Sequence, residues 1–290
     1  GALLAVVWDF ACAIAPQASA CAPSVPRQHF SSLARLDQQR LEAMVAERVS
    51  SIDDLYITKC DCTCHPPRET GRDQVARQAG STSTSSIQIR GCFIWGNHSP
   101  TMWSDVSRAE AKFGGAWVSV ERLTRGSSEG TAAAGAEAAT RPKKSDGLAA
   151  EEAWVDDWAT SELVPAVRER GTKVMEARGK SSALSAANAI ANHLRDWLSS
   201  RSSARLNHRG EAVLAAGGVS MGVFSDGNPY GVPDGLVYSF PVQCGAGRHR
   251  ILEGLRPNKV MLEASTQELL EERRRAFEVL EELGLIDAHR

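Results

Sequence analysis

Three side chains have the types and the spacing for proton transfer on an anionic substrate: Asp37, Arg40 and His98. Asp37 and Arg40 are three residues apart in a segment with helical spacing, so they share one helix face. His98 directly follows the apolar segment 92–97 and precedes a Ser-Pro turn. A strand that stops at a titratable residue is a common way to hold that residue at the mouth of a cleft.

Together the three residues would form a coherent acid/base site. Asp37 would orient the imidazole of His98 and stabilise its charged form, and His98 would exchange a proton with a substrate oxygen. Arg40 would bind a substrate carboxylate through two parallel hydrogen bonds, a geometry that lysine cannot supply. This is the equipment for oxidising a 2-hydroxy acid when a hydride acceptor is also present.

Each of these residues also has a purely structural interpretation. Asp37 and Arg40 could form a local surface ion pair that contributes little to stability, and for this pair alone that interpretation is favoured. A single histidine at a strand end is more often a hydrogen-bonded structural residue than a catalyst. The functional interpretation of the three residues therefore requires that the fold brings them together.

Composition limits the classes of function. The chain has 290 residues, 42% of them apolar, which is enough for a sizeable core. Its formal net charge of −2 argues against a nucleic-acid partner, and no apolar run approaches the length of a membrane span. Its seven cysteines have no regular spacing, so a reducing compartment is expected.

One cysteine cluster could bind a metal: Cys60, Cys62, Cys64 and His65 offer three thiols and an imidazole. That set could satisfy tetrahedral zinc, but its C-x-C-x-C-H spacing is tighter than the C-x2-C of structural zinc sites, and no second pair follows. A redox switch is a further alternative. We expect free thiols in a loop and no metal.

Hydrophobic periodicity predicts helices alternating with strands. The last helix is expected to begin at Ser265, with Glu268 completing a capping box. The other predicted helices cover 31–49, 104–113, 154–177 and 181–198, and the predicted strands cover 92–97, 116–123, 219–226, 235–243 and 248–255. This pattern indicates an α/β or α+β fold.

Three segments are expected to be insertions in that fold: 58–91, 126–150 and 199–216. They are polar or rich in small residues and cannot bury enough apolar area to offset their ordering entropy. The first separates Asp37 from His98 by about 34 extra residues. Because loop closure entropy grows slowly, with about 0.6 kcal/mol for each doubling of length, such an excursion is not forbidden. It is interpreted as a surface excursion or as translated non-coding sequence.

Four stretches carry a family resemblance: PSVPRQHFSSLARLDQQR, IWGNHSP, VRERGTKVMEARGKSSALSAANAIANHLRDW and VSMGVFSDGNPYGVPDGLVYSFPV. They resemble the malate dehydrogenase family, in its cytosolic and chloroplast-type branch. The resemblance implies the C-terminal substrate and catalytic domain of the lactate/malate dehydrogenases over 23–290, with 1–22 unmatched. It also implies the architecture of that domain, a mixed, mostly antiparallel sheet with helices packed on it. It covers well over half of the chain.

The resemblance also implies roles for individual residues. Asp37 and His98 match the proton-relay pair, Arg40 matches a substrate-carboxylate arginine, and Ser181 and Ser182 match the serines that begin the helix beside the substrate. The implied reaction is the reversible oxidation of (S)-malate to oxaloacetate with NAD, or alternatively NADP. The implied partners are the dicarboxylate substrate and a second copy in a homodimer, in the cytoplasm or alternatively the plastid.

The chain departs from the family pattern where the cofactor should bind. It contains no G-x-G-x-x-G, the fingerprint of a dinucleotide-binding loop, and lacks the mobile loop with two further substrate arginines. The N-terminal dinucleotide domain is therefore expected to be largely missing, and no cofactor-binding residue is assigned. Two alternatives remain: a non-catalytic truncated chain that folds or dimerises, and another 2-hydroxy acid dehydrogenase.

Overall fold

The computed structural model describes residues 19, 23–57, 87–113, 116–121, 123–124, 158–198 and 218–284. A 3-10 turn at Arg27–His29 precedes the first strand, and a π-helical segment at Ala159–Leu163 leads into the second helix. The helices are α1 Arg35–Ile57, α2 Val164–Arg178, α3 Ala183–Leu198 and α4 Lys259–Glu282. The strands are β1 Ser32–Leu33, β2 Ile89–Arg90, β3 Phe93–Trp95, β4 Trp103–Asp105, β5 Glu110–Phe113, β6 Ala116–Ser119, β7 Val219–Phe224, β8 Val237–Gly245 and β9 Arg248–Ile251.

The strands form three small sheets, and every described strand pair is antiparallel. The largest has the order β1-β7-β8-β9, a second has the order β2-β5-β6, and β3 pairs with β4. Helices pack on these sheets, so the predicted fold class is confirmed. No described helix is long and apolar enough to cross a membrane.

Two buried serines attach β3 to the large sheet. The backbone N–H of Ile94 donates to Ser220 Oγ at 2.9 Å, and Ser239 Oγ donates to the carbonyl of Ile94 at 2.7 Å. Gly96, two residues after Ile94, forms two backbone hydrogen bonds with Ser239, at 3.2 and 2.7 Å. These contacts fix the strand end from which the chain continues to His98.

Helix α1 is held by an apolar stripe with a spacing of four residues. Leu41, Val45 and Val49 are fully buried, in one core cluster with Ile94 and Val167. Full burial of such a side chain contributes roughly 1.5–3 kcal/mol, so this stripe fixes the rotation of the helix. The residues one turn before Leu41 therefore face the end of β3.

The predicted short helix over 104–113 is wrong, because the segment forms β4, a turn and β5. Asp105 explains the turn: its carboxylate accepts the backbone N–H of Ser107 at 2.9 Å and the indole N–H of Trp95 at 3.1 Å. A buried indole N–H needs an acceptor, and the antiparallel β3–β4 pair provides it. Burial raises the pKa of Asp105.

The last helix begins six residues earlier than predicted. Asn258 is its N-cap, and the side-chain oxygen of Asn258 accepts the backbone N–H of Met261 at 3.1 Å. The prediction of a start at Ser265 with Glu268 as capping partner is wrong, because both residues lie inside α4. Their side chains are used elsewhere, in the functional site.

Helix α3 buries the second half of the stripe that hydrophobic spacing predicts. The predicted stripe runs through Ala183, Ala187, Ile190, Leu194 and Trp197: Trp197 is buried, Ile190 and Leu194 are half-buried, and the two alanines are exposed. Ala189 and His193, which the prediction left out, are also buried. His193 Nε2 lies 3.2 Å from Ser31 Oγ, and the imidazole ring meets the ring of Trp197 edge to face.

The buried position of His193 favours the neutral imidazole. Burial and, to a smaller extent, the charges of Arg35 and His249 together lower its pKa to about 4. In the unfolded chain the same group has a pKa of about 6.5, so between these values the unfolded state binds more protons than the folded state. Stability is therefore lost as the pH falls from about 6.5 towards 4.

Acidification should destabilise the protein through His193, and His193→Gln should remove that part of the loss. We expect the wild type to lose about 2 kcal/mol between pH 7 and pH 5 from this group, since pH 5 is about 1.5 units below the unfolded-state pKa. Urea unfolding of both proteins at both pH values measures the difference. An equal pH-dependent loss in the two proteins would contradict the assignment, whatever the variant costs at pH 7.

Candidate active site

The first half of the site lies on α1. Asp37 is almost completely buried, with 2% of its side chain exposed, and its Oδ1 accepts a hydrogen bond from Arg40 Nη1 at 3.0 Å. The guanidinium of Arg40 lies against Gly171 of α2, where an added Cβ would be 3.5 Å from Nη2. The local ion pair thus forms, but it lies between two helices: 16% of the Arg40 side chain is exposed.

The second half of the site is His98, which follows the end of β3. Its Nδ1 lies 2.6 Å from Asp37 Oδ2, across 61 residues of sequence. Its backbone N–H donates to Asn97 Oδ1 at 2.9 Å, which fixes the start of the turn. The structure therefore brings Asp37, Arg40 and His98 together on one carboxylate.

This geometry determines what the imidazole can do. An ionised carboxylate only accepts hydrogen bonds, so Nδ1 of His98 carries the proton in the contact with Asp37. That bond sets the tautomer and directs Nε2 to the opposite side of the ring. Since 27% of the histidine side chain is exposed, the ring can be reached from outside the protein. The arrangement is an imidazole oriented by a carboxylate, which is chemically able to accept and release a proton.

Helix α4 holds the turn after His98. Ser99 Oγ donates to Glu268 Oε2 at 2.7 Å, and Thr101 Oγ1 donates to the same oxygen. Ser265 Oγ donates to the carbonyl of Thr101 at 2.8 Å. Sequence reasoning missed these contacts because it assigned Ser265 and Glu268 to a helix cap. The available signal was Asn258, which is a good N-cap seven residues before Ser265.

Two further contacts hold the same turn. Asn97 Nδ2 donates to the Glu272 carboxylate at 3.3 and 3.4 Å, and Arg168 of α2 donates from Nε and Nη2 to the carbonyl of Met102 at 2.9 and 2.5 Å. Burial raises the pKa of Glu272, and the nearby charge of Glu268 raises it further. Burial lowers the pKa of Arg168, and Glu268 opposes that shift. Both residues were absent from the sequence-based site.

The two serines assigned by resemblance lie at the start of α3. Ser181 is exposed, and Ser182 is half-buried. Ser182 accepts hydrogen bonds from Ser185 Oγ, at 2.5 Å on its hydroxyl and at 3.0 Å on its carbonyl. Among the described residues no hydrogen bond joins either serine to Asp37 or His98. Their role beside the substrate stays a prediction.

The candidate metal ligands Cys60, Cys62, Cys64 and His65 lie outside the described residues. Within the described ranges, no group of three or more His, Cys, Asp and Glu side chains could hold a metal ion. Two cysteines are described, Cys92 and Cys244, and both are buried free thiols. Burial raises the pKa of Cys244 to about 12, so this thiol is protonated and unreactive at neutral pH.

The described residues do not fit a dinucleotide. Such a cofactor is bound where a parallel strand leads through a glycine-rich loop into a helix N-terminus. The sequence contains no G-x-G-x-x-G, and the strands of the described part pair only in antiparallel fashion. No step of a reaction through a cofactor can be derived from these residues.

Comparison with known proteins identifies the family. A family model for the lactate/malate dehydrogenase alpha/beta C-terminal domain matches residues 124–280. The chain belongs to the lactate/malate dehydrogenase family. The resemblance noted in the sequence motifs, to malate dehydrogenases and to their C-terminal part, is thereby confirmed.

Curated relatives give the same result. The chain is 33% identical to the cytoplasmic malate dehydrogenase of Homo sapiens over 267 residues, which cover 91% of this chain and 58% of that protein. It is 31% identical to the cytoplasmic malate dehydrogenase of Zea mays, with 90% and 57% covered. The chain thus spans just over half the length of the curated relatives it matches.

Solved structures show the same fold. The malate dehydrogenase of Naegleria fowleri superposes with a TM-score of 0.60 at 28% identity, covering 96% of this chain and 61% of that one. The Trichomonas vaginalis lactate dehydrogenase in complex with NADH and oxamate has a TM-score of 0.62 at 20% identity, with 96% and 63% covered.

Gly96 is a glycine that should tolerate a side chain poorly. Its φ is +93°, and an added Cβ would lie 2.5 Å from Ser265 Oγ and 2.8 Å from Ser265 Cβ. We expect Gly96→Ala to lose about 3 kcal/mol of unfolding free energy, from backbone strain and from displacing α4. Gly227→Ala is the matched control, because φ there is +67° and the added Cβ meets nothing within 4 Å.

The control should lose only about 1 kcal/mol, the cost of the backbone conformation alone. Chemical denaturation of both variants against wild type measures the two losses. Equal losses would show that α4 does not pack on Gly96 in solution.

Proposed function

We propose that this chain is the substrate-binding and catalytic part of a malate dehydrogenase, which interconverts (S)-malate and oxaloacetate with NAD or NADP. The observation that carries the proposal is the Asp37 carboxylate, which contacts His98 at 2.6 Å and Arg40 at 3.0 Å. It is supported by the curated relatives, which are malate dehydrogenases.

The proton is handled by the Asp37–His98 pair. In the oxidation direction, the hydroxyl proton of the substrate passes to Nε2 of His98. The N–H at Nδ1 keeps its proton and remains hydrogen-bonded to Asp37. The resulting imidazolium is stabilised by the charge of the buried carboxylate. Reduction of the keto acid returns the same proton to the substrate oxygen. Oxidation also removes a hydride, and its acceptor must be bound by residues outside the described part.

Arg40 would orient the substrate. Its guanidinium carries five N–H donors in a planar fork, enough to serve Asp37 and a substrate carboxylate together. This places a carboxylate next to the imidazole, which is the geometry that a 2-hydroxy acid requires. The choice of malate over another 2-hydroxy acid rests on the family resemblance, because no described residue is assigned to the distal carboxylate.

The cofactor, the compartment and the oligomeric state are proposed from the family. We propose NAD as the cofactor, with NADP as the alternative, since the motifs resemble both the cytosolic and the chloroplast-type branch. The named relatives are cytoplasmic enzymes, and we propose the same compartment and a homodimer for this protein.

His98→Asn should abolish turnover without preventing cofactor binding. Loss of the acid/base group should reduce kcat at least about 10³-fold, because asparagine cannot accept the proton. The assay is malate oxidation with NAD and with NADP by the natural protein that contains this chain, beside a fluorescence titration of NADH. The control is His29→Asn, a change at a histidine of the 3-10 turn whose charge acts on His249.

Near-normal turnover in His98→Asn would contradict the proposed function. A wild-type protein without turnover and without saturable NADH binding would favour the alternative of a non-catalytic chain. Faster oxidation of a different 2-hydroxy acid than of malate would keep the mechanism and change the substrate.

Arg40→Lys should weaken substrate binding more than it slows the reaction. Lysine keeps the charge but loses the bidentate geometry, so KM for malate should rise about tenfold or more, equivalent to about 1.4 kcal/mol. The control is Arg48→Lys on the same helix, whose guanidinium lies over Trp158. Steady-state kinetics give both constants, and an unchanged KM in Arg40→Lys would exclude the assigned role.

A further inference from the structure

The turn that carries His98 lies between two strands and depends on other elements for its position. Strand β3 ends at Trp95 and β4 begins at Trp103. Within the turn, two backbone hydrogen bonds form, from Ser99 N–H to the carbonyl of Asn97 at 3.0 Å and from Met102 N–H to that of Ser99 at 3.1 Å. These local bonds shape the turn but do not connect it to α1, where Asp37 lies.

Glu268 of α4 connects the turn to the rest of the molecule. One oxygen, Oε2, accepts the hydroxyl groups of both Ser99 and Thr101. The preceding turn of the same helix provides Ser265, which binds the carbonyl of Thr101. The turn is thus held at two points by α4, directly after the residue that must remain on Asp37.

The surroundings of Glu268 favour a fixed position. Arg168 of α2 holds the far end of the turn through the carbonyl of Met102, and its charge interacts with that of Glu268. On the next turn of α4, Glu272 accepts a hydrogen bond from Asn97, whose Oδ1 in turn accepts the backbone N–H of His98. Helix α4 therefore reaches the histidine from both sides of the turn.

We propose that Glu268 is a positioning residue for the Asp37–His98 pair: its carboxylate fixes Ser99 and Thr101, and thereby keeps the imidazole on Asp37. Glu268 acts through the turn and does not itself contact the substrate. The kinetic consequence of this inference rests on the proposed function, but its structural consequence does not.

The chemistry of the contact suggests a graded series of variants. A carboxylate oxygen accepts two hydroxyl groups strongly because it is charged, and charge-assisted hydrogen bonds are roughly twice as strong as neutral ones. The amide oxygen of glutamine has two lone pairs and can still accept both hydroxyl groups. Alanine can accept neither. Glu268→Gln should therefore still hold Ser99 and Thr101 in place, and Glu268→Ala should not.

Glu271 provides a matched control on the same helix. It directly precedes Glu272 in the sequence, and it forms ion pairs with Arg274 and Arg275 on the exposed side of α4. Glu271→Ala removes a carboxylate from α4 without touching the turn. Any general cost of removing a glutamate from the helix should appear in this variant too.

The structural test is proton NMR of the 290-residue chain. An imidazole N–H hydrogen-bonded to a carboxylate gives a strongly deshielded resonance, which is assigned to His98 by its loss in His98→Asn. We expect the resonance to persist in Glu268→Gln and Glu271→Ala, and to broaden or vanish in Glu268→Ala. A resonance in Glu268→Ala identical to that of the wild type would overturn the proposal.

The kinetic test uses the natural protein that contains this chain. Misplacement of a catalytic group by about 1 Å can cost 10²-fold, so Glu268→Ala should lower kcat by about 10- to 100-fold per active site. KM for malate should change less than about twofold, since Arg40 is unaffected. Glu268→Gln should recover kcat to within about threefold, as a hydrogen-bond acceptor is restored.

The outcomes separate this inference from the proposed function. Turnover that survives in His98→Asn would refute the proposed function, while the NMR series would still decide whether Glu268 positions the imidazole. If His98→Asn is inactive but Glu268→Ala has wild-type kcat, or if Glu271→Ala loses as much kcat, the positioning role is wrong and the proposed function stands. A rise in KM with unchanged kcat would also overturn it.

Discussion

The Asp37 carboxylate is the constraint around which the described structure is arranged. A buried carboxylate is unfavourable unless charged and hydrogen-bonding partners compensate for its lost hydration. Asp37 has two such partners, Arg40 from its own helix and His98 from the end of a distant strand. Neither partner alone occupies both oxygens. The helix, the strand and the turn must therefore be placed correctly relative to one another before this carboxylate can be buried.

The placement depends on backbone contacts as much as on apolar packing. Helix α1 is rotated by its buried stripe, and β3 is fixed to the large sheet by Ser220 and Ser239. Hydroxyl groups at these two positions satisfy the N–H and the C=O of Ile94, groups that would be costly to bury unpaired. The buried serines thus fix the position of β3 and of its end. The buried apolar residues of α1 fix which side chains of that helix face this end.

Sequence reasoning succeeded where the signal is local. Periodicity predicted helix α1 and strands β7 and β8, and spacing placed Asp37 and Arg40 on one helix face. The alternation in 219–226 indicated a half-buried strand, but every residue of β7 is buried. Sequence reasoning failed where one local pattern is compatible with two different structures. Ser265 and Glu268 have the spacing of a helix cap, and only the earlier start of α4 shows that they face the turn instead. Residues 104–113 form strands because a buried indole requires Asp105 as an acceptor, which no local period encodes.

The contacts that sequence could not predict are also those that make the site depend on the whole described fold. Ser99 and Glu268 are 169 residues apart, so the turn is complete only after α4 has packed against it. In that helix Ser265, Thr266 and Leu269 are buried, and Met261, Leu262 and Leu270 pack half-buried against the core. Towards its end the packing is weaker, since 38% of Phe277 and 52% of Val279 are exposed. An element with little buried apolar area can open locally at a lower cost than the core. The contact between His98 and Asp37 should therefore be lost before the sheets unfold, because its support comes from a helix less firmly held than the residues it contacts.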